Sequence, residues 1–239
     1  MSKITVLCGI GLGGIHHRTE WYMKKQTASV ETKERLQQCA LQEFMEKGYL
    51  KASLRSICKQ AGVTTGALYF FFEDKDALFV SLVSGLLQEI QVIMKEHFLQ
   101  EQNGNVISGK EDLLAEMSGE GMVEDEEASL QIIHVLYAER EAALLLLTKS
   151  QGSSVESAVD ALVQVATEHY RQLADRTTKA LGMEPLQDAF VHWISHMQID
   201  TFIYMVTHIE KEEEAKIYIR QATQYMVNGW YGLFLREDK

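Results

Sequence analysis

Ala52-Ser53-Leu54-Arg55-Ser56-Ile57-Cys58-Lys59-Gln60-Ala61-Gly62-Val63-Thr64-Thr65-Gly66-Ala67-Leu68-Tyr69-Phe70-Phe71-Phe72 is the stretch whose reading decides the fold. Ser53 offers a helix N-cap, and the residues from Leu54 to Ala61 form a short helix. Gly62 permits a tight turn, and Thr64 caps a second short helix running through Phe71. Ile57, Ala61, Val63 and Leu68 are apolar where the two helices must pack, and Cys58 is small where they approach most closely. Two helices joined by a short turn containing glycine form a helix-turn-helix. The second helix projects Thr64, Thr65, Gly66, Ala67, Tyr69 and Phe70 outward, where small and hydroxyl residues suit contact with phosphates and base edges. The turn alone also fits an ordinary helical hairpin in a bundle.

Working outward, Leu36, Ala40 and Phe44 recur every four residues, with Cys39, Leu41 and Met45 beside them. This spacing predicts an amphipathic helix from about Glu31, ending at Gly48 in a left-handed cap. A further helix is expected from Asp74 or Lys75 to about Leu99.

The segment from Val63 to Phe72, followed by Lys75-Asp76-Ala77-Leu78, resembles the hallmark of the tetracycline-repressor-like (TetR/AcrR) regulators, roughly V-[ST]-x-G-x-[LI]-Y-x-[HY]-F-x-x-K-x-x-L. Ala52 to Ile57 resembles the start of that family's second helix, and Gly48-Tyr49 the end of its first. The resemblance covers about residues 31–80. It implies an all-α protein: an N-terminal three-helix helix-turn-helix DNA-binding domain plus a C-terminal helical domain for ligand binding and dimerisation. It further implies a homodimer on a palindromic double-stranded DNA operator, released by a small-molecule effector. Ser53 and Arg55 would then reach phosphate or a base edge, and Thr64, Thr65, Gly66 and Ala67 would face the major groove. Tyr69 would donate its hydroxyl to phosphate, Lys75 would meet phosphate, and Phe70 would touch a thymine methyl. The sequence departs from the pattern at Phe70-Phe71, where polar residues are frequent, and at Glu73-Asp74, which set negative charge beside the DNA. That acidic pair also leaves open a helical adaptor without DNA binding.

Bulk properties fit this outline. The 239 residues are 46% apolar with a single proline, and the net charge is −11. The first 80 residues carry a small excess of Lys and Arg, so the acidity lies in the remainder. Three cysteines (Cys8, Cys39, Cys58) make no disulfide framework and point to the reducing cytoplasm. No apolar run is read as long enough to span a bilayer. Domains are expected at 26–78 (DNA-binding) and 79–239 (ligand-sensing and dimerisation). Residues 1–25 are read as a disordered extension, or as upstream sequence before a true start at Met23.

Within that extension, Ile4 to Cys8 reads as a strand, and Gly9, Gly11 and Gly14 fit G-x-G-x-x-G. A nicotinamide-cofactor enzyme is the competing class this motif raises. It needs further βαβ units that the later sequence lacks. No nucleophile elbow, zincin motif or phosphate loop is found, so neither an enzyme nor a cofactor nor a metal is expected.

Beyond residue 100 the sequence predicts a loop around a short helix at 110–117, then helices at 125–149, 154–182, 186–210 and 212–235. The last two are apolar over a wide arc, and Trp230 and Phe234 are taken to mark the dimer contact. Asp188, His192, His196 and Asp200 form a ladder at four-residue spacing, read as a polar stripe rather than a metal site. An apolar effector pocket between helices is expected, with His134, Tyr137, Tyr170, Trp193 and Tyr204 as candidate lining.

Overall fold

The computed structural model describes residues 13–104, 107–118 and 120–235. Among these residues it is helical without a strand: α1 (Gly13–Lys51), α2 (Leu54–Ala61), α3 (Thr65–Phe71), α4 (Lys75–Asn103), α5 (Lys110–Ser118), α6 (Glu120–Ala138), α7 (Arg140–Lys149), α8 (Ala158–Leu181), α9 (Asp188–His208) and α10 (Glu212–Gly232). The strand reading of Ile4 to Cys8, with Gly9 and Gly11, lies outside the described residues. Gly14 sits in helical backbone.

α1 reaches back across residues that the sequence reading assigns to the extension. After Gly13-Gly14 no proline or further glycine interrupts the chain before Gly48. A helix nucleated by the Leu36–Ala40–Phe44 stripe therefore propagates backward at little cost. At Gly48 the backbone turns to φ 74 and ψ 163, a combination that in practice only glycine adopts. The helix is broken there, and Tyr49 to Lys51 make a separate turn.

The head forms where α1 packs on α2, α3 and α4. Leu36, Ala40, Phe44, Ile57, Leu68 and Phe79 are all fully buried, as the periodicity requires. Phe44 and Phe79 meet edge-to-face at 5.0 Å, and Tyr49 closes the cluster against Phe79 at 5.3 Å. Asp74 caps α4 by accepting the Ala77 N–H at 2.7 Å, which gives one of the two acidic departures a structural role.

α4 then leaves the head and enters the larger helical body. The expected domain boundary at 78/79 falls inside it. Its buried residues Leu78, Phe79, Val83, Leu86, Ile90, Met94 and Phe98 recur at three- and four-residue steps. Contrary to the sequence reading, this helix is long and apolar enough to cross a membrane by length and composition. Its apolar side chains are used instead against α1, α6, α7 and α8.

Helix ends in the body match expectation at Gly182 (φ 65, left-handed) and at the 209–211 break. The single helix expected at 125–149 is two, with the chain bending at Glu139 (φ −117, ψ 43). No local breaker marks that bend. Flanking it, the Tyr137 hydroxyl donates to Ile209 O (2.8 Å) and Arg140 Nη2 to Val206 O (3.1 Å), so the end of α9 holds the corner. α8 begins at Ala158 rather than 154, because turns occupy the segment after Ser150. There the Ser154 N–H donates to Asp76 Oδ1 at 2.9 Å, tying the body to the head.

The apolar excess of α10 has a different cause from the one expected. Trp230 and Phe234 are 7% and 1% exposed, packed with Leu113, Leu173, Val191 and Tyr231 inside one protomer. They do not mark a free face. The exposed apolar side chains of the last two helices are Trp193, Tyr204, Ile217 and Tyr225.

Candidate nucleic-acid interface and effector cavity

α3 sits on the head with Leu68 fully buried beneath it. Thr64 caps it as expected, its hydroxyl accepting the Ala67 N–H at 3.2 Å. Thr64, Thr65 and Gly66 are exposed and Ala67 half-buried, so the N-terminal turn of α3 is open to a partner. Tyr69 and Phe70 are 57% and 78% exposed, and Phe71 is half-buried. Ser53 and Arg55 are exposed at the start of α2. Eight of the nine residues expected at DNA are thus exposed or half-buried on or beside α2 and α3.

Lys75, the ninth, is differently employed. Its Nζ donates to Tyr49 O (2.8 Å) and Leu50 O (3.4 Å) and lies 4.4 Å from the Tyr49 ring centre. It places positive charge on the carbonyl end of α1, where the helix dipole favours it.

Ser53 does not use its side chain as a cap. Its N–H donates to Glu43 Oε1 at 3.2 Å. Glu43 escaped the sequence reading and is the organising polar group of the head. Its side chain is fully buried, and it also accepts Lys47 Nζ (2.8 Å), the Ser56 hydroxyl (2.8 Å) and Gln60 Nε2 (3.3 Å). Burial alone raises its pKa, but the hydrogen bonds from Lys47, Ser56 and Ser53 outweigh that and hold it below the usual carboxylate value. One carboxylate therefore locks α2 to α1 and fixes how α3 is presented.

A cavity of about 250 Å³ opens in the body between α4, α6, α8, α9 and α10. Much of its wall is apolar, with Leu86, Ile90, Met94, Ile199, Phe202 and Val227 contributing. Of the five residues expected to line an effector pocket, Tyr170 and Trp193 do so. The others lie outside it. His134 is exposed beside Glu212, Tyr137 holds the α6–α7 corner, and Tyr204 stacks on His208 at the surface (4.2 Å). Residue type marked all five as candidates, but the face each turns depends on helix rotation within the bundle.

One end of the cavity is polar. His97 Nε2 lies 3.0 Å from Asp125 Oδ1 and 3.6 Å from Glu101 Oε2. His169 Nε2 stands 2.6 Å from Glu101 Oε2, out of line for a hydrogen bond, and its ring stacks on Phe98 at 3.9 Å. Burial lowers the His97 pKa, but the hydrogen bond to Asp125 and the charge of Glu101 raise it by more. Burial raises Asp125, and His97 offsets only part of that. Tyr170, half-buried and facing both carboxylates, is pushed well above the ordinary tyrosine value by burial and by their charge. The sequence signal for this cluster was a pair of polar residues four apart, His97 and Glu101, on a helix otherwise apolar on its inner face.

His97, Glu101 and Asp125 place donor atoms within 4.8 Å of one another, which a divalent cation can exploit. The Asp188–His192–His196–Asp200 ladder is a surface stripe: Asp188 pairs with Arg171 (3.1 Å) and His192 meets Thr167 (3.3 Å).

Residues 38–82 match the family model of bacterial regulatory proteins of the tetR family. Over these residues the chain is similar to this family. The repressor BepR of Brucella suis is 40% identical over 60 residues, which is 25% of this chain and 29% of that protein. The regulator UidR of Escherichia coli K12 is 29% identical over 108 residues, 41% of this chain and 55% of that one. The chain thus spans between about a third and about half of these relatives' length. A transcriptional regulator from Aquifex aeolicus shares the fold, with a TM-score of 0.52 at 17% identity, covering 82% of this chain and 99% of the other. FadR of Bacillus subtilis, solved in complex with stearoyl-CoA, aligns with a TM-score of 0.50 at 13% identity over 81% of this chain and 96% of that one.

Proposed function

We propose that this protein is a ligand-responsive transcriptional regulator, a repressor that binds a palindromic operator as a homodimer in the cytoplasm and is released by a small molecule. The observation that carries this reading is α4. Its first turns pack into the head through Leu78 and Phe79, and its later turns, from Leu86 to Glu101, wall the cavity. Filling the cavity pushes on a helix whose other end packs on α1, the helix that carries α2 and α3. Two recognition helices related by a two-fold axis read half-sites about 34–36 Å apart, so a small tilt in each spoils the spacing. The effector needs only a higher affinity for the displaced state.

The second copy is assigned to the α9–α10 side. Trp193 and Tyr204 lie eleven residues apart, three turns of helix, and so share a face, and both are more than half exposed. The stearoyl-CoA bound by the Bacillus subtilis FadR supports reading the cavity as the effector site. Among the described residues no strand exists to build the sheet that a nicotinamide enzyme needs.

The test is fluorescence anisotropy of labelled palindromic fragments taken from DNA beside the protein's own coding sequence. Saturable binding of two protomers per fragment, competed poorly by unrelated DNA, is the expected result. Affinity equal for all fragments, or none, refutes the proposal.

A further inference from the structure

Resting on the reading of the cavity as an effector site, we infer that its ligand is a cationic amphiphile, an organic amine or quaternary ammonium with an apolar tail, its charge held by Glu101 and Asp125. Three observations lead there. First, no Lys or Arg among the described residues lines the cavity. Arg176, the guanidinium near this end, is tied to the backbone carbonyls of Glu101 and Gln102. An anionic head group would therefore meet two carboxylates, with the His97 imidazole, already engaged by both, as the one group there able to carry positive charge.

Second, the polar end is under-satisfied. The side chains of Glu101 and Asp125 are 19% and 22% exposed, and the groups facing them are the imidazoles His97 and His169. His97 Nδ1, on a residue that lines this end, is buried without a partner; His169, stacked on Phe98 and 96% buried, has its Nε2 2.6 Å from Glu101 Oε2 but out of line for a hydrogen bond. Farther along the wall the buried Trp230 Nε1 and Gln198 Oε1 also lack partners. Buried polar groups of this kind are ordinarily satisfied, and Gln198 Oε1 is an acceptor that an ammonium N–H can meet.

Third, aromatic rings flank the carboxylates. Phe98, Tyr170 and Tyr231 line this end, and both tyrosines feel the charges of Glu101 and Asp125. Ring faces beside carboxylates are a favourable environment for a weakly hydrated cation. A bare metal ion accounts for less. It would use His97, Glu101 and Asp125 but leave the apolar remainder empty. A metal-bound histidine also normally donates through its second nitrogen, whereas His97 Nδ1 is buried without a partner.

Matched eight-carbon probes test this on the full-length protein: octyltrimethylammonium, octanol and octanoate. Binding is followed by calorimetry and by the fluorescence of Trp193 and Trp230, both in the cavity wall. The cation should bind saturably, about tenfold or more tighter than octanol, with octanoate weakest. Glu101→Gln and Asp125→Asn should each weaken the cation about tenfold while leaving octanol within about twofold. Retained octanol binding shows that the variants fold. Should they not fold, the head-group ranking on the unaltered protein decides.

Octanoate binding as tightly as the cation overturns the inference. So does a cation affinity indifferent to both substitutions, the absence of saturable binding by all three probes, or zinc alone binding at the cluster and excluding the cation. An operator-anisotropy arm separates the two ideas. Selective cation binding that leaves DNA affinity unchanged supports the inference and refutes effector control. Release of DNA by octanol and octanoate as readily as by the cation does the reverse.

Discussion

Truncating Glu43 to alanine should unfasten the helix-turn-helix while leaving the body folded. The carboxylate is fully buried and accepts four hydrogen bonds, from Lys47, the Ser53 backbone, Ser56 and Gln60. Removing it strands these donors and leaves a void between α1 and α2. Loss of one partner from such a buried charged network costs about 3–5 kcal/mol. For a chain of this size that corresponds to a fall of roughly 6–20 °C in Tm. Glu43→Gln keeps the shape and one acceptor, so it should cost clearly less. The acid limb carries a second signature. Because the folded state holds this carboxyl below its ordinary value of 4.5, the network's contribution is complete above that pH and is lost as pH falls through the lowered value. Urea titrations from pH 3 to pH 7, with hydrogen exchange across α2 and α3, measure both effects. Protection lost in α2 and α3 but kept in α8 and α9 is the expected pattern. A Glu43→Ala protein within about 0.5 kcal/mol of the parent at pH 7, with an unaltered acid limb, would refute the reasoning.

Tyr69→Phe should weaken binding to all DNA fragments alike, by the roughly 1.5–3 kcal/mol of a hydrogen bond to a charged acceptor, whereas Thr65→Val should change which sequences bind. Competition titrations with specific and random fragments separate the two, and a sequence-selective effect of Tyr69→Phe contradicts its assignment to phosphate. Gly152 has φ 88, and a Cβ there would stand 2.4 Å from Leu50 Cδ2, so Gly152→Ala should cost about 1–2 kcal/mol in thermal unfolding. An unchanged Tm would show that the loop and Leu50 simply move aside. Trp193→Glu should give folded monomer by sedimentation, whereas Trp230→Glu should give unfolded or aggregated protein, because the first side chain is exposed and the second is core. Intact dimer in Trp193→Glu would place the interface elsewhere.

The helix-turn-helix was legible because local rules fix it. The Thr64 cap, the Gly62 turn and the Leu36–Ala40–Phe44 stripe each act within a few residues, and each is found as read. The breaks at Gly182 and before Glu212 follow for the same reason. Sequence periodicity also showed that α9 and α10 must bury wide faces. It did not tell a protomer's own core from a face left for a second copy, so Trp230 and Phe234 were misplaced. The bend at Glu139 is held by carbonyls some seventy residues away, at the end of α9, and nothing in its neighbourhood announces it. Glu43 and the Glu101–Asp125–His97–His169 cluster have the same origin. Each is an ordinary charged or polar residue on an amphipathic helix until α2, α6 and α8 pack against it, and only that packing removes the water that makes such groups unremarkable. Local chemistry determined the elements and which side chains α2 and α3 expose. The register of helices against one another determined what the cavity holds out to a ligand.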